Sequence, residues 1–360
     1  MIMNKVKKIG IYTIHSVFNY GAQLQAYATI FYLKKFFPYC DIELVNIGFS
    51  SSKLNLKQCI KKLLPQQILR SFRFRRFHNK NPLSPKISLD KLFNEPFSYD
   101  LHITGSDQIW NVSKGIGKYP VYFLPFVKNE PKIALASSFG TKQIPLDTYS
   151  FVKKYLGQFD SIAVREMDGV KILSDLNINA TQILDPTFWL DEKEWNALAG
   201  DKSTVNEKYI IAYGFELNNR NPQFLIDAAR KIYNKKVIAI DGAKCFHYDA
   251  KYNSCGPIEF LRLIKYSDLV ITSSFHGMVF AIIFRKNFFI IPHSTRNSRI
   301  ENLLLKLDLL NRILPKDSQK YYSYINSTPD INYEIVEEKI HSLRKSTEEY
   351  IMRTLNRYII

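Results

Sequence analysis

Strand-length apolar runs alternate with helical runs along this chain, and the series occurs twice. No other feature restricts the fold as strongly. Strands separated by helices cannot pair as hairpins; each helix serves as the crossover that joins parallel neighbours and covers a face of their sheet. Residues 7–13 read as a strand, 21–36 as a helix and 42–47 as a strand. Short apolar strands at 101–104 and 132–137 follow, then a helix at 146–156, a strand at 161–164, a helix at 165–176 and a strand at 182–184. The second series has strands at 209–213, 236–240, 269–272 and 287–291, with helices at 222–233, 257–266, 278–284 and 299–307. This predicts an α/β chain of two Rossmann-like domains with a cleft between them. The junction is expected near residues 186–201, giving a first domain over 1–190 and a second over 191–330. Residues 332–360 read as one long helix, so 331–360 is set apart as a C-terminal helix.

With 360 residues, 46% of them hydrophobic, the chain can fill two cores. It has no apolar run long enough to span a bilayer. Its start runs through Lys5, Lys7 and Lys8 into a strand, without the apolar centre of a signal peptide. Cys40, Cys59, Cys245 and Cys255 lack metal-type pairing, and their wide spacing suits reduced thiols. A cytoplasmic protein is therefore expected. The net charge of +17 points to acidic partners, whether nucleic acid, anionic lipid or phosphorylated substrates; a generally basic surface is the plain alternative. No zinc-finger, helix-turn-helix or RNA-recognition signature is present, so no nucleic-acid partner is expected.

Residues 51–91 stand outside the alternation. Lys53, Lys57, Lys61, Lys62, Arg70, Arg73, Arg75, Arg76 and Lys80 fall in a stretch without one acid. Leu56, Ile60, Leu63 and Leu64 share a helical face, Pro65 breaks the run, and Ile68, Leu69 and Phe72 begin a second stripe that Phe77 extends. Such a segment either lies on anionic lipid as a basic amphipathic helix, or packs on the first domain as an excursion with a solvated basic face.

Several strand-to-helix junctions carry chemistry. After the second-half strand at 269–272 come Ser273, Ser274, His276 and Gly277 at a helix start. A helix N-terminus attracts anions through its amides, and a histidine there can exchange a proton near neutral pH. A satisfied structural histidine is the alternative. After the first strand, Asn19 can cap the next helix and Gly21 lets a ligand approach the backbone, or the two form only a tight turn. Ser106, Asp107, Gln108 and Trp110 follow the strand at 101–104, at the edge where open α/β sheets bind ligands. Asp107 can accept a proton from a sugar hydroxyl and Trp110 can stack on the ring; the structural reading is an Asp cap and a buried tryptophan. Arg165 can hold a carboxylate or phosphate, or pair with Glu166 or Asp168. Asp185 reads as a turn residue, and Arg296 and Arg299 lie before a helix where they can close on an anion or remain solvated.

Taken in order, these segments resemble the polysaccharide pyruvyl transferase family. The matching parts are Asn19, Tyr20 and Gly21 with Leu24, Gln25, Ala26 and Tyr27, then the loop at 105–111, then Val164 with Arg165 and Glu166. They continue with Leu184, Asp185, Pro186 and Thr187, with Gly256 and Pro257 before Glu259, Phe260 and Leu261, and with the segments 274–277 and 299–304. The resemblance implies a glycosyltransferase-B-like fold whose C-terminal helix packs back across the domains. It implies transfer of a pyruvyl group from phosphoenolpyruvate to hydroxyls of a sugar in a bacterial surface polysaccharide or its precursor, closing a ketal. The acceptor would be nucleotide- or polyprenyl-linked, the second placing the enzyme at the inner face of the cytoplasmic membrane. No cofactor or metal is implied. His276 would move the proton to the donor or leaving phosphate and Asp107 would activate the acceptor hydroxyl. Arg165 and Arg299 would clamp donor anions, with Ser273 and Ser274 on phosphate oxygens. Family members carry an arginine two residues before the histidine, where this chain has Ser274, which shifts more of the anion binding to the other arginines. A nucleotide-sugar-dependent glycosyltransferase of the same architecture is the rival reading.

Overall fold

The computed structural model describes residues 6–49, 64–112, 120–214, 222–241, 247–292 and 298–359. The chain forms two compact units. Residues 1–54, 78–190 and 341–360 make the first, and residues 55–77 and 191–340 the second.

In unit 1 the strands are β1 (Lys8–Tyr12), β2 (Asp41–Leu44), β3 (Ile47–Gly48), β4 (Ile87–Ser88), β5 (Leu101–Thr104), β6 (Lys132–Ser137), β7 (Ser161–Val164) and β8 (Thr181–Gln182). Six form one parallel sheet in the order β2-β1-β5-β6-β7-β8, and β3 pairs with β4. All residues of β5 and β6 are buried, including the polar His102, Thr104, Lys132 and Ser137, as in a sheet covered on both faces. Asn19 caps the helix Tyr20–Phe36, its Oδ1 accepting the Ala22 N–H at 3.0 Å. Lys34 and Lys35 lie in that helix's last turn, where cations suit the dipole.

Unit 2 holds β9 (Tyr209–Tyr213), β10 (Lys236–Ile240), β11 (Ala250–Tyr252), β12 (Leu269–Thr272) and β13 (Asn287–Ile290). They form a second parallel sheet in the order β11-β10-β9-β12-β13. The helix Phe275–Ile283 is buried at every residue, which explains why its sequence is apolar all round.

Two assignments differ from the sequence expectation. The described helix of the basic excursion, Pro65–His78, clusters with unit 2 through Phe77 rather than with the first domain. Its inner face explains this. Phe74 and Phe77 are buried, Arg70 pairs with Asp241, and Arg73 pairs with Glu259 and donates to the Ser254 carbonyl. Lys53, Leu56, Lys57, Ile60, Lys61, Lys62 and Leu63 lie outside the described residues. The terminal helix Tyr333–Ile359 also divides, its residues through Ile340 belonging to unit 2 and those from His341 to unit 1. That second part packs back on unit 1. Thr347 Oγ1 accepts the Leu184 N–H at 3.1 Å, Arg344 Nε donates to the Phe188 carbonyl at 2.7 Å, and Tyr350 and Ser161 share a hydroxyl hydrogen bond of 2.7 Å.

Candidate functional site

The candidate residues gather at the carboxyl edges of the two sheets, one cluster in each unit. In unit 1 the cluster is built on the loop after β5. Gly105 makes the turn possible: its φ is +130°, and a Cβ there would lie 1.9 Å from the Leu135 carbonyl oxygen. The loop is tied to the first helix from within. Gln25 accepts the Ser106 N–H at 3.3 Å and donates to Thr13 Oγ1 at 2.9 Å, while Thr13 Oγ1 donates to the Ser106 carbonyl at 3.0 Å.

Arg165, at the end of β7, is the centre of this cluster. Its Nη1 donates to Asp185 Oδ2 at 2.7 Å, its Nη2 meets Asp107 Oδ1 at 3.3 Å, and its Nε lies 3.7 Å from Glu166 Oε2. Burial alone weakens the hold of Arg165 on its proton, and the carboxylates of Asp185, Asp107 and Glu166 more than restore it. With its side chain only 1% exposed, Arg165 holds this edge together and does not reach a soluble anion. The expectation of a donor clamp at Arg165 is thereby corrected; the structural alternative, a pair with Glu166, is part of the answer. Asp185 turns out to do two things. Its Oδ1 accepts from Thr187 N–H and Oγ1 at 3.0 and 2.6 Å, closing a turn, while its Oδ2 takes Arg165 and the Ser106 hydroxyl.

Three further expectations change for the same reason, burial. Trp110 is fully buried, and its Nε1 donates to the Tyr122 carbonyl at 3.0 Å among Phe123, Phe139 and Phe159. It is core and offers no face to a sugar. Ser106 is buried with its hydroxyl on Asp185. Gly21 is buried in the helix interior face, so a ligand does not approach its backbone, while Asn19 is spent on the cap. Asp107 and Gln108 remain half-buried, and Gln108 accepts from Asn111 at 3.0 Å. Asp107 has φ +67°, a conformation that the short side chain supports by accepting the Gln108 N–H at 2.8 Å. Of the group, Asp107 is the carboxylate that reaches solvent, with a side chain 17% exposed.

In unit 2 the cluster crowns β12. Thr272 Oγ1 accepts the Ser274 N–H at 3.0 Å, and Ser274 Oγ accepts the Gly277 N–H at 3.3 Å as the cap of the helix Phe275–Ile283. His276 sits in the first turn, 7% exposed, edge-on to Phe275 at 5.2 Å. Arg299 stacks over the other partner in that contact, its guanidinium carbon 5.4 Å from the Phe275 ring centre. Ser273 and Ser274 are half-buried. Ser273, Ser274, His276, Gly277 and Arg299 are thus brought together by one turn and one aromatic ring. Arg296 lies outside the described residues.

The sequence reading missed three features. Glu166 Oε1 accepts from Ser138 Oγ, Phe139 N–H and Gly140 N–H at 2.8 to 3.1 Å, fixing the loop after β6. A cavity of about 210 Å³ opens in unit 1, lined by residues 13–17 with Ile47, Phe49 and Tyr122. Its histidine, His15, donates from Nε2 to the Val45 carbonyl at 3.0 Å, so its Nδ1 accepts from His78 Nε2 at 2.8 Å. Burial pulls His15 down to about 4, keeping this pair uncharged at neutral pH. No local motif marks a histidine whose partner lies 63 residues away.

The family model for polysaccharide pyruvyl transferases matches residues 19–295. The chain belongs to this family. It is a transferase of polysaccharide biosynthesis. The match begins at the Asn19 cap, takes in the unit 1 cluster and the turn from Ser273 to Gly277, and ends at residue 295, before Arg299. Comparison of the sequence with curated proteins finds no match. Solved structures show the fold. Anabaena Alr3699/HepE, solved with UDP and glucose, is 12% identical with a TM-score of 0.56, covering 98% of this chain and all of that one. A UDP-N-acetylglucosamine 2-epimerase is 12% identical with a TM-score of 0.57, covering 99% and 97%. S. aureus MnaA, solved with UDP, is 10% identical with a TM-score of 0.54, covering 98% and 97%. The architecture of this pyruvyl transferase family member is glycosyltransferase-B-like.

Proposed function

We propose that this chain transfers the pyruvyl group of phosphoenolpyruvate to two hydroxyls of a sugar in a bacterial surface polysaccharide or its precursor. The observation that carries the reading is the β12 turn, where a serine-capped helix start, His276 and Arg299 meet in a chain of this family. A donor with a carboxylate and a phosphate needs cations and amide groups, and this turn supplies both kinds. His276 delivers a proton to the methylene carbon, and positive charge develops at the adjacent carbon. A sugar hydroxyl attacks there, its proton passing to a general base. The bond from that carbon to the phosphate oxygen then breaks, a second hydroxyl closes the ring, and its proton leaves with the phosphate. The products are a cyclic ketal and inorganic phosphate. With Arg165 committed to three carboxylates, Arg299 takes the clamp.

Thermal shift with phosphoenolpyruvate and with UDP-sugars tests the donor. Phosphoenolpyruvate is expected to raise the melting temperature, by about 3 kcal/mol of stabilisation at a hundredfold excess over its Kd. Protection by a UDP-sugar and none by phosphoenolpyruvate would instead support a nucleotide-sugar glycosyltransferase.

Peripheral association with the inner face of the membrane is part of the same reading, and one surface supports it. On the helix Pro65–His78 and its preceding residue, Leu64, Ile68 and Phe72 form an exposed stripe at four-residue spacing. Arg75 and Arg76 are exposed alongside, whereas Arg70 and Arg73 are held by acids of unit 2. Reversing Arg75 and Arg76 to glutamate is therefore expected to abolish sedimentation with anionic vesicles, each cation contributing about 1 kcal/mol at such a surface. Equal binding to neutral and anionic vesicles would argue against the association, leaving a nucleotide-linked acceptor. No helix among the described residues is long and apolar enough to cross a membrane.

A further inference from the structure

Three neighbouring strands of unit 2 end in register. Thr272 of β12 pairs with Tyr213 of β9, and Tyr213 pairs with Ile240 of β10. The residues that follow, Ser273, Gly214 and Asp241, therefore stand in a row along the carboxyl edge. The row is tight at its β12 end: a Cβ on Gly214 would lie 2.6 Å from Ser273 Oγ. Strands lie about 4.8 Å apart, so Asp241 and Ser273 are separated by about two spacings, roughly 10 Å. Tyr213 of the middle strand is half-buried, and Ser274, Asp241 and Arg70 are all near enough to act on its hydroxyl.

Arg70 comes to this row from the helix Pro65–His78. Its Nη2 donates to Asp241 Oδ2 at 2.7 Å, with the guanidinium carbon 5.4 Å from the Phe74 ring centre. Both side chains of the pair stay partly open, at 19% and 23%. A second contact fixes the helix that carries it, because Arg73 bonds to the Ser254 carbonyl at 2.9 Å and pairs with Glu259 at 3.3 Å. The basic excursion thus delivers one cation to the ligand edge of a sheet whose own turn has a serine at 274.

We propose that Arg70 is a donor-binding residue: it supplies from the excursion a cation that holds the phosphate or carboxylate of the anionic donor, with Asp241 positioning it. The inference rests on the donor reading above. A guanidinium carries five N–H donors in a planar fork, so engaging Asp241 with one amino group is compatible with engaging an anion with others. A pair between two partly open side chains also exchanges partners more readily than a closed one such as Arg165–Asp185, whose side chains are each 1% exposed.

The test is calorimetric titration of the full chain with phosphoenolpyruvate, comparing wild type with R70A, R70K and R75A, with circular dichroism to confirm folding. R70A is expected to weaken binding tenfold or more, R70K to recover part of the loss, and R75A, at an exposed position of the same helix, to stay within about threefold of wild type, in line with one charge-assisted hydrogen bond at Arg70. Equal binding by wild type and R70A would overturn the role of Arg70 and leave the donor reading standing. If wild type binds UDP and not phosphoenolpyruvate, the donor reading falls, and the same comparison with UDP decides Arg70 by loss or no change. Should R70A fail to fold, R70K carries the comparison: weaker binding supports the role and unchanged binding overturns it. A wild type that binds neither ligand overturns both.

Discussion

Replacement of His276 by alanine is expected to lower turnover about a hundredfold or more while leaving the protein folded. The turn that holds the residue does not depend on its imidazole. Thr272 Oγ1 and Ser274 Oγ make the cap, and the helix behind it is buried through Met278, Val279 and Phe280. What the substitution removes is the imidazole proposed as the proton donor of this turn. The proposed reaction begins with protonation of a carbon, a step that water performs slowly. Release of inorganic phosphate from phosphoenolpyruvate in the presence of acceptor, followed beside circular dichroism, measures both parts of the expectation. A folded H276A with turnover within a few-fold of wild type would remove His276 from the mechanism and reduce it to packing against Phe275.

The second large effect is expected at Arg165. Its replacement by methionine, which keeps much of the volume, should destabilise the protein by about 3–5 kcal/mol, the cost of leaving buried charges uncompensated. Asp185 and Glu166 would keep their hydrogen bonds from Thr187, Ser106, Ser138, Phe139 and Gly140. They would lose the positive charge that Arg165 brings within 2.7 to 3.7 Å of three carboxylates. Chemical denaturation of the variant reads this directly. An R165M protein as stable as wild type would mean that the acids are balanced from elsewhere and that Arg165 is available for another task.

The alternation of apolar strands and helices was legible because burial on both faces leaves its mark residue by residue. The strands at 101–104, 132–137, 161–164, 209–213, 236–240 and 269–272 appear at those positions in the structure. The caps were legible for the same local reason: Asn19 and Ser274 lie three residues before the amides they accept from. Trp110 was not legible. An indole in a polar loop looks the same in sequence whether it faces a ligand or a core of phenylalanines, and only the packing of Phe123, Phe139 and Phe159 around it decides.

Charge shows the division most clearly. By itself the sequence determined that arginines stand at 70, 73, 75, 76 and 165 and that no acid lies among residues 53–80. It could not tell which of them are neutralised, because their partners are distant along the chain. Arg70 meets Asp241, Arg73 meets Glu259, and Arg165 meets Asp107 and Asp185. The tertiary structure alone divided one basic stripe into a half paired with acids of unit 2, at Arg70 and Arg73, and an exposed half at Arg75 and Arg76. The physical reason is that hydrophobic periodicity and helix capping act over a few residues, whereas an ion pair acts through space between whichever groups the packed chain places within a few ångströms.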